Sequence, residues 1–272
     1  RISGPLLLLF ALSSLQPCAT QIETYTLDKP CGGCKFHVDE VGVLRKVEDT
    51  STCVVLSCSG TLNFANAYIS SIADGTFDGL SKVTRLNLEG NKLTVLPFAA
   101  LWQMEGLEVI KLNDNEIHTL TPEVFAGNED LEEVYLQRNS LTTLPEGLFG
   151  SNAMLKKAYF AGNSLTSVPA GLFTASPLVV EIGLEDNMVA EVGSGAFAPC
   201  TALERLHLSG NRLESVPDLS SNTKLTRLTM YNNLISLIPQ GTFDNNPLLV
   251  ELYVVEGQKF SGDVCRGGAV VP

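Results

Sequence analysis

Residues 131 to 149 read Leu131-Glu-Glu-Val134-Tyr135-Leu136-Gln137-Arg138-Asn139-Ser-Leu141-Thr-Thr-Leu144-Pro145-Glu-Gly-Leu-Phe149. The same frame occurs 24 residues earlier, as Leu107, Ile110, Leu112, Asn115, Ile117 and Leu120. Counting outward, Asn91, Asn115, Asn139, Asn163, Asn187 and Asn211 fall 24 residues apart, and Asn233 follows after 22. A fixed period of this length marks a solenoid, in which no unit buries its apolar side alone and each packs on its neighbours.

Within each unit Leu-x-x-Val-x-Leu alternates with a period of two, which predicts a short strand with its apolar residues inward and the rest outward. A turn away from water follows, where a carboxamide offers both donor and acceptor to stranded backbone groups, so the recurring Asn reads as structural. Pro97, Pro145, Pro169, Pro217 and Pro239 come six residues after the Asn, where a fixed φ suits a chain leaving the sheet. Phe77, Phe125, Phe149, Phe173, Phe197 and Phe243 come ten after that register and are expected to stack as an aromatic spine. With weak terminal units around Leu62 and Leu252, the expectation is an α/β solenoid. Its concave parallel sheet has nine strands and its convex side is irregular or short-helical.

The chain has 272 residues and a formal net charge of −12. That balance argues against nucleic acid, whose phosphates need clustered Lys and Arg. Arg1, the apolar run Pro5 to Leu12 and small residues near Ala19 form a secretory leader pattern over residues 1–20, too short to span a bilayer. No later segment reaches the ~20 apolar residues of a membrane span, so the sequence as it stands reads as secreted, or as a cell-surface ectodomain if the chain continues.

Cys31, Cys34, Cys53 and Cys58 precede the repeats, in residues 21–61. The first repeat has one side without a neighbour, and a disulfide-stapled hairpin is expected to cover it. The redox reading of Cys31-Gly-Gly-Cys34 lacks a βαβ context, and a zinc site suits a reducing compartment better than a secreted chain. Four cysteines leave three connectivities open. Cys200 shares a column with Asn128, Asn152, Ser176, Asn222 and Asn246 and reads as a free, partly buried thiol, with a bridge to Cys265 as the alternative. Residues 62–257 carry the repeats and 258–272 a degenerate or truncated C-terminal cap.

Register alone places Asn63, Asn87, Lys111, Tyr135, Tyr159, Gly183, His207, Thr229 and Tyr253 in one outward column. A neighbouring column includes Glu185, Ser209 and Tyr231. Tyr135, Tyr159, Tyr231 and Tyr253, flanked by Lys157, Arg138, Arg205 and Arg227 and joined by His207, have the chemistry of binding hot spots. Glu181, Glu185 and Asp186 form an acidic break between the two tyrosine regions, suited to a basic patch on a ligand. A concave sheet on the order of 40 Å long suits a folded protein better than a small molecule. His37, His118 and His207 lie in no nucleophile, zinc or phosphate-loop motif, so no catalytic, cofactor or metal site is expected. The chain also has no Asn-X-Ser/Thr acceptor.

The motif Leu-x-x-Leu-x-Leu-x-x-Asn-x-Leu, followed by Leu-Pro and Phe, resembles the typical 24-residue class of extracellular leucine-rich repeat proteins. The cysteine-bearing N-terminus is similar to the caps of variable lymphocyte receptors, Slit-type proteins, small proteoglycans and Toll-like receptor ectodomains, although its spacing is less compact. The resemblance implies a horseshoe fold and recognition of a protein ligand by the concave face. A structural or matrix-organising scaffold is the alternative.

Overall fold

A computed structural model describes residues 24–26, 34–47, 58–255, 258–260 and 269–270. The expected leader in residues 1–20, together with Cys31, Cys53 and Cys265, lies outside the described residues.

The alternating apolar frame makes a strand in every repeat. Ser59–Asn63, Lys82–Asn87, Val109–Lys111, Glu133–Tyr135, Lys157–Tyr159, Glu181–Gly183, Arg205–His207, Arg227–Thr229 and Glu251–Val255 run parallel, in sequence order, through one sheet. Gln258–Phe260 adds antiparallel at the far edge. The one described helix, Phe98–Leu101, has four residues. Elsewhere, outside the concave sheet, the chain is turn and bend with two-residue strands such as Ser167–Val168, which pairs in parallel with Glu191–Val192, and Pro and Gly stand close together at Pro145 and Gly147, Pro169 and Gly171, and Pro239 and Gly241. Ala269–Val270 returns to pair antiparallel with Leu237–Ile238.

The asparagines do what their position requires. Asn163 accepts from the Leu141 amide at 3.0 Å and donates to the Leu136 and Phe160 carbonyls at 2.9 and 2.8 Å, tying one repeat to the previous one. Asn91, Asn115, Asn139, Asn187, Asn211 and Asn233 repeat the pattern. On the convex side a second ladder follows the column that holds Cys200. Asn152 donates to the Phe125 and Asn128 carbonyls at 3.0 and 2.8 Å, and Asn222 and Asn246 do likewise. Between the ladders lies the core, where Phe149 stacks between Phe125 and Phe173 with centroids 5.9 and 5.5 Å away.

The residue before each ladder asparagine turns into left-handed backbone. Asp114, Asp186 and Asn232 adopt φ of 54 to 58°, as does Asn66 before Ala67 at the same register, a conformation that Asn and Asp tolerate. Arg138 stands in the same column at φ 51°, a conformation rare for a long side chain.

At the N-terminal end, strands Lys35–Val38 and Val43–Lys46 form a hairpin, and the second pairs in parallel with Ser71–Ile72. Asp39 closes the hairpin turn by accepting from the Val41 and Val43 amides. Phe36 is fully buried against Phe64 and Phe77, at centroid distances of 5.2 and 6.3 Å. Cys34 and Cys58 are both buried and disulfide-bonded.

Candidate binding face

Strand register carries outward-pointing residues into columns across the concave sheet. Asn63, Asn87, Lys111, Tyr135, Tyr159, Gly183, His207, Thr229 and Tyr253 are successive cross-strand partners, so the central column stands as the repeat predicts. Two residues earlier on each strand runs a charged column in which Glu133, Lys157, Glu181 and Arg205 alternate in sign.

Neighbouring members of a column lie one strand spacing apart, about 4.8 Å, within reach of each other's side chains. Lys157 Nζ therefore sits 2.8 Å from Glu133, Arg205 donates to Glu181 at 2.8 and 3.0 Å, and Arg227 lies 3.4 Å from Glu251. The phenols join the same network. Tyr135 donates to Glu133 at 2.7 Å, Glu181 lies near Tyr159, and the two rings stack 5.2 Å apart with Lys111 over the Tyr135 face. Burial, helped by the Glu133 carboxylate, pushes the Tyr135 phenol up to about 12, and burial raises Tyr159 as well. Burial alone would raise Glu133 and Glu181 too. The hydrogen bonds and positive charge of Lys157 and Arg205, together with the neighbouring phenols, outweigh it and hold both carboxyls below the ordinary glutamate value.

Tyr135, Tyr159, Lys157 and Arg205 are thus engaged within the chain. Arg138 forms a two-pronged ion pair with Asp114 of the preceding repeat on the rim, and its hydrogen bonds hold Asp114 below the usual carboxylate range.

Toward the C-terminal end the face opens. Glu185, His207, Ser209, Arg227, Thr229, Tyr231 and Tyr253 line a cleft of about 350 Å³. The Arg227 guanidinium lies 5.3 Å from the Tyr253 centroid, and His207 spans from Thr229 Oγ1 at 3.3 Å to Glu181 at 3.5 Å. Glu185 Oε2 and Ser209 Oγ are buried with no hydrogen-bond partner. Gly183 explains the position of Glu185. A Cβ there would stand 2.9 Å from Tyr159 Cδ1 and 3.1 Å from Glu185 Oε2, so the missing side chain leaves the notch into which the carboxylate leans.

The structure groups His207, Arg227, Tyr231 and Tyr253 around this cleft and leaves Tyr135, Tyr159 and Lys157 in a separate cluster. It also divides the acidic break. Glu181 is neutralised by Arg205, Asp186 sits in the left-handed rim column, and Glu185 stays unpaired. Ser209 and Thr229 were not expected as site residues. Their signal was a small polar residue one strand before an outward tyrosine, Ser209 before Tyr231 and Thr229 before Tyr253. Cys200 is free and fully buried, and burial raises its thiol to about 12, far from reactive. Among the described residues no three His, Cys, Asp or Glu side chains are placed to hold a metal ion.

A stack of short parallel strands on an asparagine ladder, with an open concave sheet, defines a solenoid of the leucine-rich repeat class. Family models agree. "Leucine rich repeat" matches residues 61–117 and 105–157, and "Leucine Rich repeats (2 copies)" matches 201–252, so the chain belongs to the leucine-rich repeat proteins. A search of the curated proteins finds no match. Among solved structures, the TLR13–ssRNA13 complex superposes with a TM-score of 0.56 at 19% identity, covering 66% of this chain and 30% of that one. The Drosophila Toll–Spatzle complex gives a TM-score of 0.54 at 22% identity, covering 71% and 28%. The chain therefore spans less than a third of the length of either structure, and at these identities the likeness is one of fold.

Proposed function

We propose that this chain is a secreted or cell-surface binding module whose concave face recognises a protein ligand. The carrying observation is the cleft at the C-terminal end of the sheet, where two half-buried tyrosines, an arginine and a histidine surround polar atoms that the chain itself does not satisfy. Aromatic and arginine side chains at a desolvated centre are the usual anchors of protein interfaces. The leader pattern and the disulfide-bonded Cys34 and Cys58 support an extracellular setting. The hairpin carrying Phe36 fits the role of an N-terminal cap over the first repeat.

One structural neighbour was solved with single-stranded RNA and another with the protein Spatzle. The protein reading suits this chain better. Lys157, Arg205, Arg227 and Arg138 are each held by a carboxylate, and the net charge is −12, so this face offers little to a phosphate backbone.

The test is affinity capture from extracellular extracts and cell surfaces, comparing the wild type with a variant in which Tyr135, Tyr159, Tyr231 and Tyr253 are Ala. Both proteins must first show the same circular dichroism and melting cooperativity. A specific protein retained only by the wild type supports the concave site. Partners held equally by both proteins rule it out and favour a scaffold acting through other surfaces.

A further inference from the structure

We infer that the cleft beside Gly183 is a subsite for one basic side chain, Lys or Arg, presented by the protein ligand. This rests on the concave-face reading above and names the chemistry of its centre.

Along the charged column each carboxylate faces a cation one strand away, so Glu133, Glu181 and Glu251 have their charge offset within the chain. Glu185 lies four residues after Glu181, in the column it shares with Ala161, Ser209 and Tyr231, where its neighbours on either side are an alanine and a serine and offer no cation. Its Oε2 is buried without a partner. Beside it Ser209, 4% exposed, carries a hydroxyl that also has no partner. Buried polar atoms of this kind carry a desolvation cost, and a native structure normally meets it with a partner. A carboxylate plus a hydroxyl acceptor at one end of an open cleft is complementary to an ammonium or guanidinium donor.

The cleft walls fit the rest of such a side chain. Long basic residues bury their methylene stems on apolar surface while the head meets the charge, and the rings of Tyr231 and Tyr253 supply that surface. Arg227 does not reverse the sign of the site. Its charge is offset by Glu251 at 3.4 Å, and its guanidinium lies over Tyr253. The Gly183 notch gives the Glu185 carboxylate its place at the edge of the cleft, since a Cβ there would stand 2.9 Å from the Tyr159 ring and 3.1 Å from Glu185 Oε2.

The probe is a fluorescent acetylated penta-arginine peptide, with a penta-glutamate peptide as counterpart, titrated into the full chain at physiological ionic strength. The expected result is that wild type binds penta-arginine and Glu185→Gln weakens it at least tenfold. Ser209→Ala weakens it two- to fivefold, and Glu129→Gln, on the convex side, changes it less than twofold. Glu185→Gln is isosteric, and matching melting curves with wild type establish that it folds. Equal binding by wild type and Glu185→Gln, equal weakening by Glu129→Gln, or tighter binding of penta-glutamate would overturn the subsite. Glu185→Gln is also run in the capture experiment. A partner lost by the four-tyrosine variant but retained by Glu185→Gln removes this inference and leaves the concave reading standing. A partner retained by both variants removes both.

Discussion

The two halves of the concave face share one repeat and differ in what they leave unsatisfied. Around Glu133–Tyr159, charges alternate across the strands, the Tyr135 phenol donates to Glu133 and the two rings stack on each other. Among the described groups there, Gln137 Oε1 is the exception, buried without a partner. Around Glu185–Tyr253, a glycine interrupts the aromatic column, a carboxylate and a hydroxyl lack partners, and a cleft opens. A tyrosine at an outward strand position is therefore not by itself a contact residue. What matters is whether its own sheet has already taken its hydrogen bond.

The largest effect expected breaks the support beneath one half. Phe149→Ala leaves a hole between Phe125 and Phe173 and should cost about 3 to 5 kcal/mol in denaturant unfolding. Because each repeat leans only on its neighbours, hydrogen exchange should speed up first at Glu133–Tyr135 and Lys157–Tyr159, and later at Arg227–Thr229. Uniform exchange across both strands would show that the halves melt as one unit.

Acid should act on the paired half. Glu133 and Glu181 have folded pKa values below the unfolded one. The stability they contribute is complete above the unfolded value near 4.5 and lost as pH falls through the folded values. For these partly exposed pairs we expect a loss of about 1 kcal/mol each. Thermal melts from pH 6 down to pH 3 should show a smaller drop in the Glu133→Gln/Glu181→Gln variant than in wild type. An identical drop would place the acid sensitivity elsewhere.

The phenols sharpen the contrast. Removing the Tyr135 hydroxyl takes a 2.7 Å hydrogen bond from Glu133, so Tyr135→Phe should cost about 1 kcal/mol. Tyr231→Phe, with no intramolecular hydroxyl bond in the structure, should stay within about 0.5 kcal/mol, as surface substitutions do. Equal costs at the two positions would erase the distinction between a closed and an open half.

The smallest effect lies on the rim. Arg138→Asn relieves the left-handed φ of 51° but gives up an exposed ion pair with Asp114, and these roughly cancel, leaving stability within about 0.5 kcal/mol. A larger loss in a chemical melt would mean that the pair organises the rim more firmly than its exposure implies.

Much of this molecule was legible in its repeat. The spacing of Leu131, Val134, Leu136 and Asn139 gives strand, inward face and turn, because periodicity and hydrogen-bond need are local properties. The nine strands, the asparagine ladder and the central outward column follow from it, and the phenylalanine spine holds from Phe125 to Phe197, whereas Phe77 packs instead on Phe36 and Phe64 and Phe243 lies beyond Leu219, outside the stack. Less was visible at the convex surface. The column of Asn128, Asn152, Ser176 and Cys200 reads as small and polar, but only the stacked repeats show that its amides donate to carbonyls of the preceding unit.

By itself, then, the sequence determined the solenoid, its register and which side chains face the open sheet, since all three follow from spacing along one chain. Which of those side chains are already spoken for was decided only by tertiary structure. Lys157 meets Glu133, and Arg205 meets Glu181, because strands 24 residues apart in sequence lie side by side. Glu185 remains alone because its neighbours on either side, Ala161 and Ser209, carry no cation, and it leans where it does because Gly183, two residues before it, has no side chain.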